Sequence, residues 1–149
     1  MAEESVRIPV DTLQSFMLDV FLRLGVPPED ARITAEVLIT SDLWGIESHG
    51  VGRLKQYYDR IRGGLQFPVT QMQVLKDTPT TAVIDGQLGM GQVIAHRAMS
   101  MAIEKARRYG MGAVAVRNSS HFGIAGYYPL MAVKAGMIGL TVTNARPSI

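Results

Sequence analysis

The sequence predicts an α/β protein in which N-terminal helices lead into a mixed or parallel sheet with crossover helices. Three observations predict it. The stretch before Leu65 holds three segments with apolar residues at helical spacing, each closed by glycine. From Thr81 onward, short apolar runs alternate with longer amphipathic ones in the order strand, helix, strand, helix, strand. Apolar residues make up 47% of the 149, enough to build a packed core.

The first helix is read from "PVDTLQSFMLDVFLRLG", with Asp11 as N-cap, Leu13, Phe16, Met17, Val20 and Leu24 on one face, and Gly25 as the stop. The second, "PPEDARITAEVLITSDLWG", opens on prolines and acids that suit a helix N-terminus and ends at Gly45. The third, "SHGVGRLKQYYDRIRGG", runs from Ser48 to the Gly63-Gly64 stop, with Gly50 and Gly52 weakening its start. After a proline-containing stretch, "TAVID" (81–85) reads as a strand and "GMGQVIAHRAMSMAIEKARRYG" as a long helix ended by Gly110. "GAVAV" (112–116) is the next strand, followed by a helix from about Ile124 to Lys134 and a strand "MIGLTVT" (137–143). "NARPSI" follows that strand directly. A parallel sheet needs cover on both faces, so the chain is expected to be the N-terminal part of something longer.

Composition narrows the function classes. Fifteen Lys and Arg are scattered among thirteen Asp and Glu, for a net charge of +2. A nucleic-acid footprint would cluster its cations on one face, so nucleic acid is not an expected partner. No apolar run is long enough to cross a bilayer and no apolar leader opens the chain. With no cysteine there is neither disulfide nor thiolate chemistry, and a cytoplasmic protein is expected.

Polar groups converge in two places. If the last two strands form a βαβ unit, Asn118 and His121 after one and Asn144 after the other share the sheet edge where open α/β folds bind ligands. The plainer alternative is a loop histidine bonded to backbone. In "ESHGVGR", His49 and Arg53 are four residues apart and share a helical face. Such a pair suits a small carboxylate, since guanidinium grips it through two charge-assisted hydrogen bonds; a solvated helix face is the alternative.

Other readings fit less well. "GMGQVI" has Ile94 where a dinucleotide-binding loop needs its third glycine. Ser48 and His49 would diverge by about a hundred degrees on a helix, which argues against a nucleophile pair. His49, His96 and His121 lack the short spacing of a metal site, and His96 shares a face with Met99 and Ile103, as a structural residue would.

Taken together, "SDLWGIESHGVGRLKQYYDRIRGGL" and "VRNSSHFGIAGYYPLMAVKAGMIGLTVTNA" resemble the malate/L-lactate dehydrogenase family of the non-Rossmann type. That family also contains sulfolactate and ureidoglycolate dehydrogenases and some cyclic-imine reductases. The resemblance implies an L-sulfolactate-dehydrogenase-like fold and hydride transfer between NAD or NADP and a small 2-hydroxy/2-oxo acid. By family frequency this is malate/oxaloacetate first, then lactate/pyruvate, with a ketimine reductase or a non-catalytic binding module as alternatives. It further implies that His121 is the acid/base and lies against the cofactor. Ser48, His49, Arg53 and Asn118 match substrate-binding positions, and Thr143, Asn144 and Ala145 match a stretch that approaches the cofactor. Residues 1–75 would be a helical segment carrying the substrate motif. Residues 76–149 would begin the cofactor-binding domain of a homodimer. Family members are more than twice this length, so the chain alone is not expected to complete the site.

Overall fold

A computed structural model describes residues 7–144. Five helices lie in chain order: α1 Val10–Arg23, α2 Pro28–Leu43, α3 Leu54–Arg62, α4 Gly91–Tyr109 and α5 Tyr127–Lys134. Three strands accompany them among the described residues: β1 Gln73–Asp77, β2 Thr81–Asp85 and β3 Ala113–Arg117. α1 starts two residues earlier than the sequence suggests. Pro9 takes the N-cap position, and Asp11 falls in the first turn, where its charge complements the helix dipole without a cap bond. α2 opens on Pro28 with Glu29 and Asp30 in its first turn, as the proline and acid signals predict.

The core lies where α1, α2 and α3 meet the beginning of α4. Met17, Phe21, Leu38, Tyr57, Met90 and Val93 are fully enclosed there. Each large apolar side chain taken out of water contributes about 1.5–3 kcal/mol.

The sheet runs in the order β1-β2-β3. β1 and β2 form an antiparallel pair with an irregularity between Val74 and Lys76. β2 and β3 pair in parallel, from Thr81 opposite Ala113 to Asp85 opposite Arg117, with α4 as the crossover. The sheet is therefore mixed, as expected. Sequence reading misses β1. Every one of its residues is exposed, so "QVLKD" shows no buried face to read.

Two expectations near the end need correction. α5 begins at Tyr127, not Ile124; residues 118–126 are spent folding across the start of α4. The segment 137–143 is not a strand. Among the described residues it joins no ladder, and Ile138, Leu140 and Val142 are 101%, 81% and 81% exposed. The apolar alternation there is real, but alternation chooses a face, whereas a strand also needs a neighbouring ladder. The sheet consequently does not carry Asn144 to the edge at which β3 ends. Among the described residues no helix is long and apolar enough to cross a membrane.

Candidate active site

The parallel pairing of β2 and β3 sets Asp85 beside Arg117. Asp85 accepts hydrogen bonds from Gln87 N (2.9 Å), Arg117 Nε (2.9 Å) and Asn118 Nδ2 (2.8 Å). The Gln87 backbone bond, then Arg117 and Asn118, hold its carboxyl below the usual carboxylate range against the opposing effect of burial. Asn118 adopts a left-handed backbone (φ 51°) to make this turn. It is thus a clasp on the strand ends, with its side chain engaged by Asp85. The two loops then zip together through Leu88 N to Asn118 O (2.8 Å) and Ser120 Oγ to Gly89 O (2.7 Å). This delivers His121 above the first turn of α4.

The opposite wall comes from the segment after α2. The third helix was expected to start at Ser48. Instead, residues 47–53 form two 3-10 turns, Glu47–His49 and Val51–Arg53, and the α-helix begins at Leu54. Gly50, at ψ −143°, interrupts the spiral, and the Asp42 carboxylate sits against it while accepting Val51 N at 2.8 Å. The turns also bring Ser48 Oγ within 2.9 Å of His49 Nδ1, a pair that the helical reading had set apart. Arg53 donates through Nε to Ser48 O (2.6 Å) and through Nη1 to Gln56 Oε1 (2.8 Å). Its head is thereby fixed, with Nη2 unengaged by the described residues.

These walls meet at His121. Its ring stacks on that of His49, with centroids 5.3 Å apart and planes 27° from parallel. The Tyr57 hydroxyl lies 2.7 Å from His121 Nδ1, and Gly123 N donates to the same nitrogen at 3.3 Å. A fixed N–H donor at Nδ1 favours the neutral tautomer that carries its proton on Nε2. Burial, then positive charge at His49, Arg53 and Arg60, lowers the His121 pKa below the ordinary histidine value. Tyr57 is completely enclosed; burial pushes its hydroxyl pKa up, opposed by the Gln92 side chain and the Arg53 charge, so it is a neutral hydroxyl at physiological pH.

The structure therefore brings Ser48, His49, Arg53 and His121 together. Asn118 stands one turn of chain away, on Asp85. Thr143 and Asn144 are exposed, joined to each other by Thr143 Oγ1 to Asn144 O (3.3 Å), and no hydrogen bond among the described residues links them to His121. Ala145 lies outside the described residues. Sequence reading missed Tyr57, although it follows Arg53 by the four residues that put both on one helical face. It also read Gln92 only as part of a glycine-rich loop. Among the described residues no group of three or more His, Cys, Asp and Glu could hold a metal ion.

A half-buried imidazole beside a second imidazole and an anchored guanidinium makes a site for an anion whose neighbouring atom exchanges a proton. Known proteins resemble the chain along nearly its whole length. Residues 8–149 match the model of the family described as malate/L-lactate dehydrogenase. The malate dehydrogenase of Pyrococcus abyssi is 53% identical over 147 residues, covering 99% of this chain and 41% of that protein. The L-sulfolactate dehydrogenase of Methanocaldococcus jannaschii is 48% identical over 136 residues, covering 91% of this chain and 40% of that one. The solved structure of malate dehydrogenase from Pyrococcus horikoshii superposes with a TM-score of 0.88 at 49% identity, over 90% of this chain and 38% of the other. The chain thus spans about two-fifths of the length of the relatives it matches.

Proposed function

Because the chain belongs to the malate/L-lactate dehydrogenase family, we propose that it forms the acid/base and carboxylate-holding side of an NAD(P)-dependent 2-hydroxy-acid dehydrogenase. Malate/oxaloacetate is the first substrate pair and lactate/pyruvate the second. The observation that carries this reading is the meeting of His121 with His49 and the anchored Arg53 in one half-buried cluster. Malate and sulfolactate dehydrogenases among the relatives favour a substrate with a carboxylate next to the reacting carbon.

The reacting end of a nicotinamide fits this cluster, since the imidazole can exchange a proton where a carbonyl oxygen gains charge. The glycine-rich loop 86–91 does not offer a pyrophosphate cradle. Space for a Cβ there is already filled by Thr70, Ile94 and the backbone of Ser120 and His121. When bound, reduced nicotinamide supplies the hydride. This chain's residues do the rest. Arg53 Nη2 holds the carboxylate of the oxo acid, with Ser48 and His49 beside it. His121 Nε2 gives its proton to the keto oxygen as negative charge develops there, a contribution of about 10²–10⁴-fold for general acid catalysis. Asn118 acts by keeping the end of β3 in place. Thr143, Asn144 and Ala145 approach the cofactor, residues 1–75 carry the substrate motif, and residues 76–149 begin the cofactor-binding part of a cytoplasmic homodimer.

The test is loss of reduced-nicotinamide absorbance with NADH or NADPH and a panel of oxaloacetate, pyruvate, sulfopyruvate and a cyclic imine. Turnover of an oxo acid that disappears in His121→Ala supports the reading. Near-normal turnover by His121→Ala, or turnover of the imine alone, overturns it.

A further inference from the structure

Gln92 is the second residue of α4 and is wholly buried, yet neither Nε2 nor Oε1 of its amide has a hydrogen-bond partner among the described residues. A buried amide left unsatisfied is costly, and a leucine of similar size would fill the space without that cost. Its surroundings are specific. The first turn of α4 is pressed at Gly91 against the backbone of Ser120 and His121, and the Gln92 stem runs beside Gly123. The Tyr57 hydroxyl lies 2.7 Å from His121 Nδ1, and the Gln92 amide, with the Arg53 charge, opposes the upward pull of burial on the Tyr57 pKa without completing a hydrogen bond in this arrangement.

We propose that Gln92 is a positioning residue for His121, acting through Tyr57 to let the hydroxyl bond Nδ1 in either protonation state of the ring. The proposal rests on the reading of His121 as the acid/base. With neutral His121 protonated on Nε2, Nδ1 accepts the Tyr57 proton, and a small rotation of the unpartnered amide lets the Tyr57 oxygen accept from Gln92 Nε2. With the imidazolium, Nδ1 carries a hydrogen of its own, so Tyr57 must accept it and turn its own hydrogen elsewhere. Gln92 Oε1 receives that hydrogen after a half-turn of the amide. When Nε2 then gives up its proton to the substrate, the ring is left neutral with hydrogen on Nδ1, and the same Tyr57 and Gln92 orientation persists. No proton leaves the Tyr57–Gln92 pair; only donor and acceptor roles exchange. A primary amide suits this place because it offers both a donor and an acceptor. Everything else facing the ring opposes protonation: the Gly123 N–H is a fixed donor at Nδ1, and His49, Arg53 and Arg60 supply positive charge.

The experiment is ¹⁵N imidazole NMR of the intact chain across pH, reading the His121 midpoint and neutral tautomer in wild type, Gln92→Leu, Tyr57→Phe and the double variant. Gln92→Met, closer in length, is the second substitution should Leu disturb folding. Removing the amide strands the Tyr57 hydrogen on Nδ1. The His121 midpoint is therefore expected to fall by about one pH unit, a tenfold change, with the neutral ring shifted further toward the Nε2–H tautomer. In the Tyr57→Phe background the same substitution should change neither. An unchanged midpoint and tautomer in Gln92→Leu and Gln92→Met overturns the proposal. So does an equal effect with Tyr57 absent, which would mean that Gln92 acts through packing. The titration needs no turnover, so its failure is distinct from a failure of the His121→Ala assay.

Discussion

The rings of His49 and His121, from segments far apart in sequence, lie stacked with centroids 5.3 Å apart. Two imidazoles this close cannot both carry charge without repulsion, and the charge at His49 is the largest of the charged influences that lower the His121 pKa. His49→Gln removes that charge while retaining a polar side chain. The His121 midpoint, followed by NMR, should rise toward the ordinary value. A bound dicarboxylate should produce the same direction of change in the wild type, because an anion beside the rings stabilises the imidazolium. A His49→Gln protein whose His121 titrates at or below the wild-type midpoint would contradict the electrostatic account.

The lowered midpoint has a consequence for the pH profile. The neutral ring dominates at pH 7, so reduction of an oxo acid, which needs the imidazolium, should quicken as pH falls through 6.5 toward the His121 midpoint. Oxidation of the hydroxy acid needs the neutral ring and should slow over the same interval. Stability limits the acid side. Burial holds the folded-state pKa values of both His121 and His96 below the ordinary histidine value of 6.5. The unfolded chain therefore binds protons first, and stability present above pH 6.5 is lost as pH falls below it. Urea midpoints at pH 7.5, 6.5 and 5.5 should decrease in that order, and the loss should shrink in His96→Gln. A midpoint rising toward pH 5.5 would reverse the sign of the argument.

How far the sequence reveals this site depends on which interactions are local. The helix boundaries at Gly45 and Gly110 and the parallel pair of "TAVID" with "GAVAV" are legible because periodicity and glycine stops are encoded within a few residues. The 3-10 turns at 47–53 are not. Their geometry is set by Asp42, a helix earlier, whose carboxylate holds Val51 N and leaves no room beside Gly50. Asn118 could be placed at a strand end but not assigned to Asp85, because that bond depends on the register of β2 against β3. Tyr57 reads as an ordinary core aromatic until His121 is brought 64 residues back along the chain onto its hydroxyl. The segment 137–143 shows the reverse case, a strand pattern to which the described residues supply no partner.

Close packing beneath His121 makes a separate expectation. A methyl at Gly91 would run into the backbone carbonyls of Ser120 and His121, which cannot move aside as a flexible side chain would. Gly91→Ala should cost about 1–3 kcal/mol, as overpacking of a well-filled interior does, and should displace His121 from the Tyr57 hydroxyl. Gly52→Ala is the contrast. The nearest atom to a methyl there is Glu47 O at 3.8 Å, an ordinary contact, so its effect should lie between neutral and about 1 kcal/mol stabilising. Urea unfolding of the two variants, with the His121 NMR signal as the local readout, separates them. Equal stability of both would show that the contact at Gly91 relaxes freely.

The anchoring of Arg53 distinguishes holding a substrate from merely attracting it. Ser48 O and Gln56 Oε1 fix Nε and Nη1, so the guanidinium plane is set before any ligand arrives. A lysine at this position keeps the charge but has neither the plane nor the two anchors. If Arg53 holds the substrate carboxylate in ground and transition state alike, Arg53→Lys should raise KM for the oxo acid with a smaller change in kcat. Loss of a hydrogen bond to a charged group, about 1.5–3 kcal/mol, corresponds to roughly 10–150-fold in KM. Gln56→Leu removes one anchor and leaves the guanidinium in place, so its effect on KM should be in the same direction and smaller. Steady-state kinetics on all three proteins decide it. A fall in kcat at unchanged KM in Arg53→Lys would move the arginine from binding the carboxylate to acting on the charge that develops during the reaction.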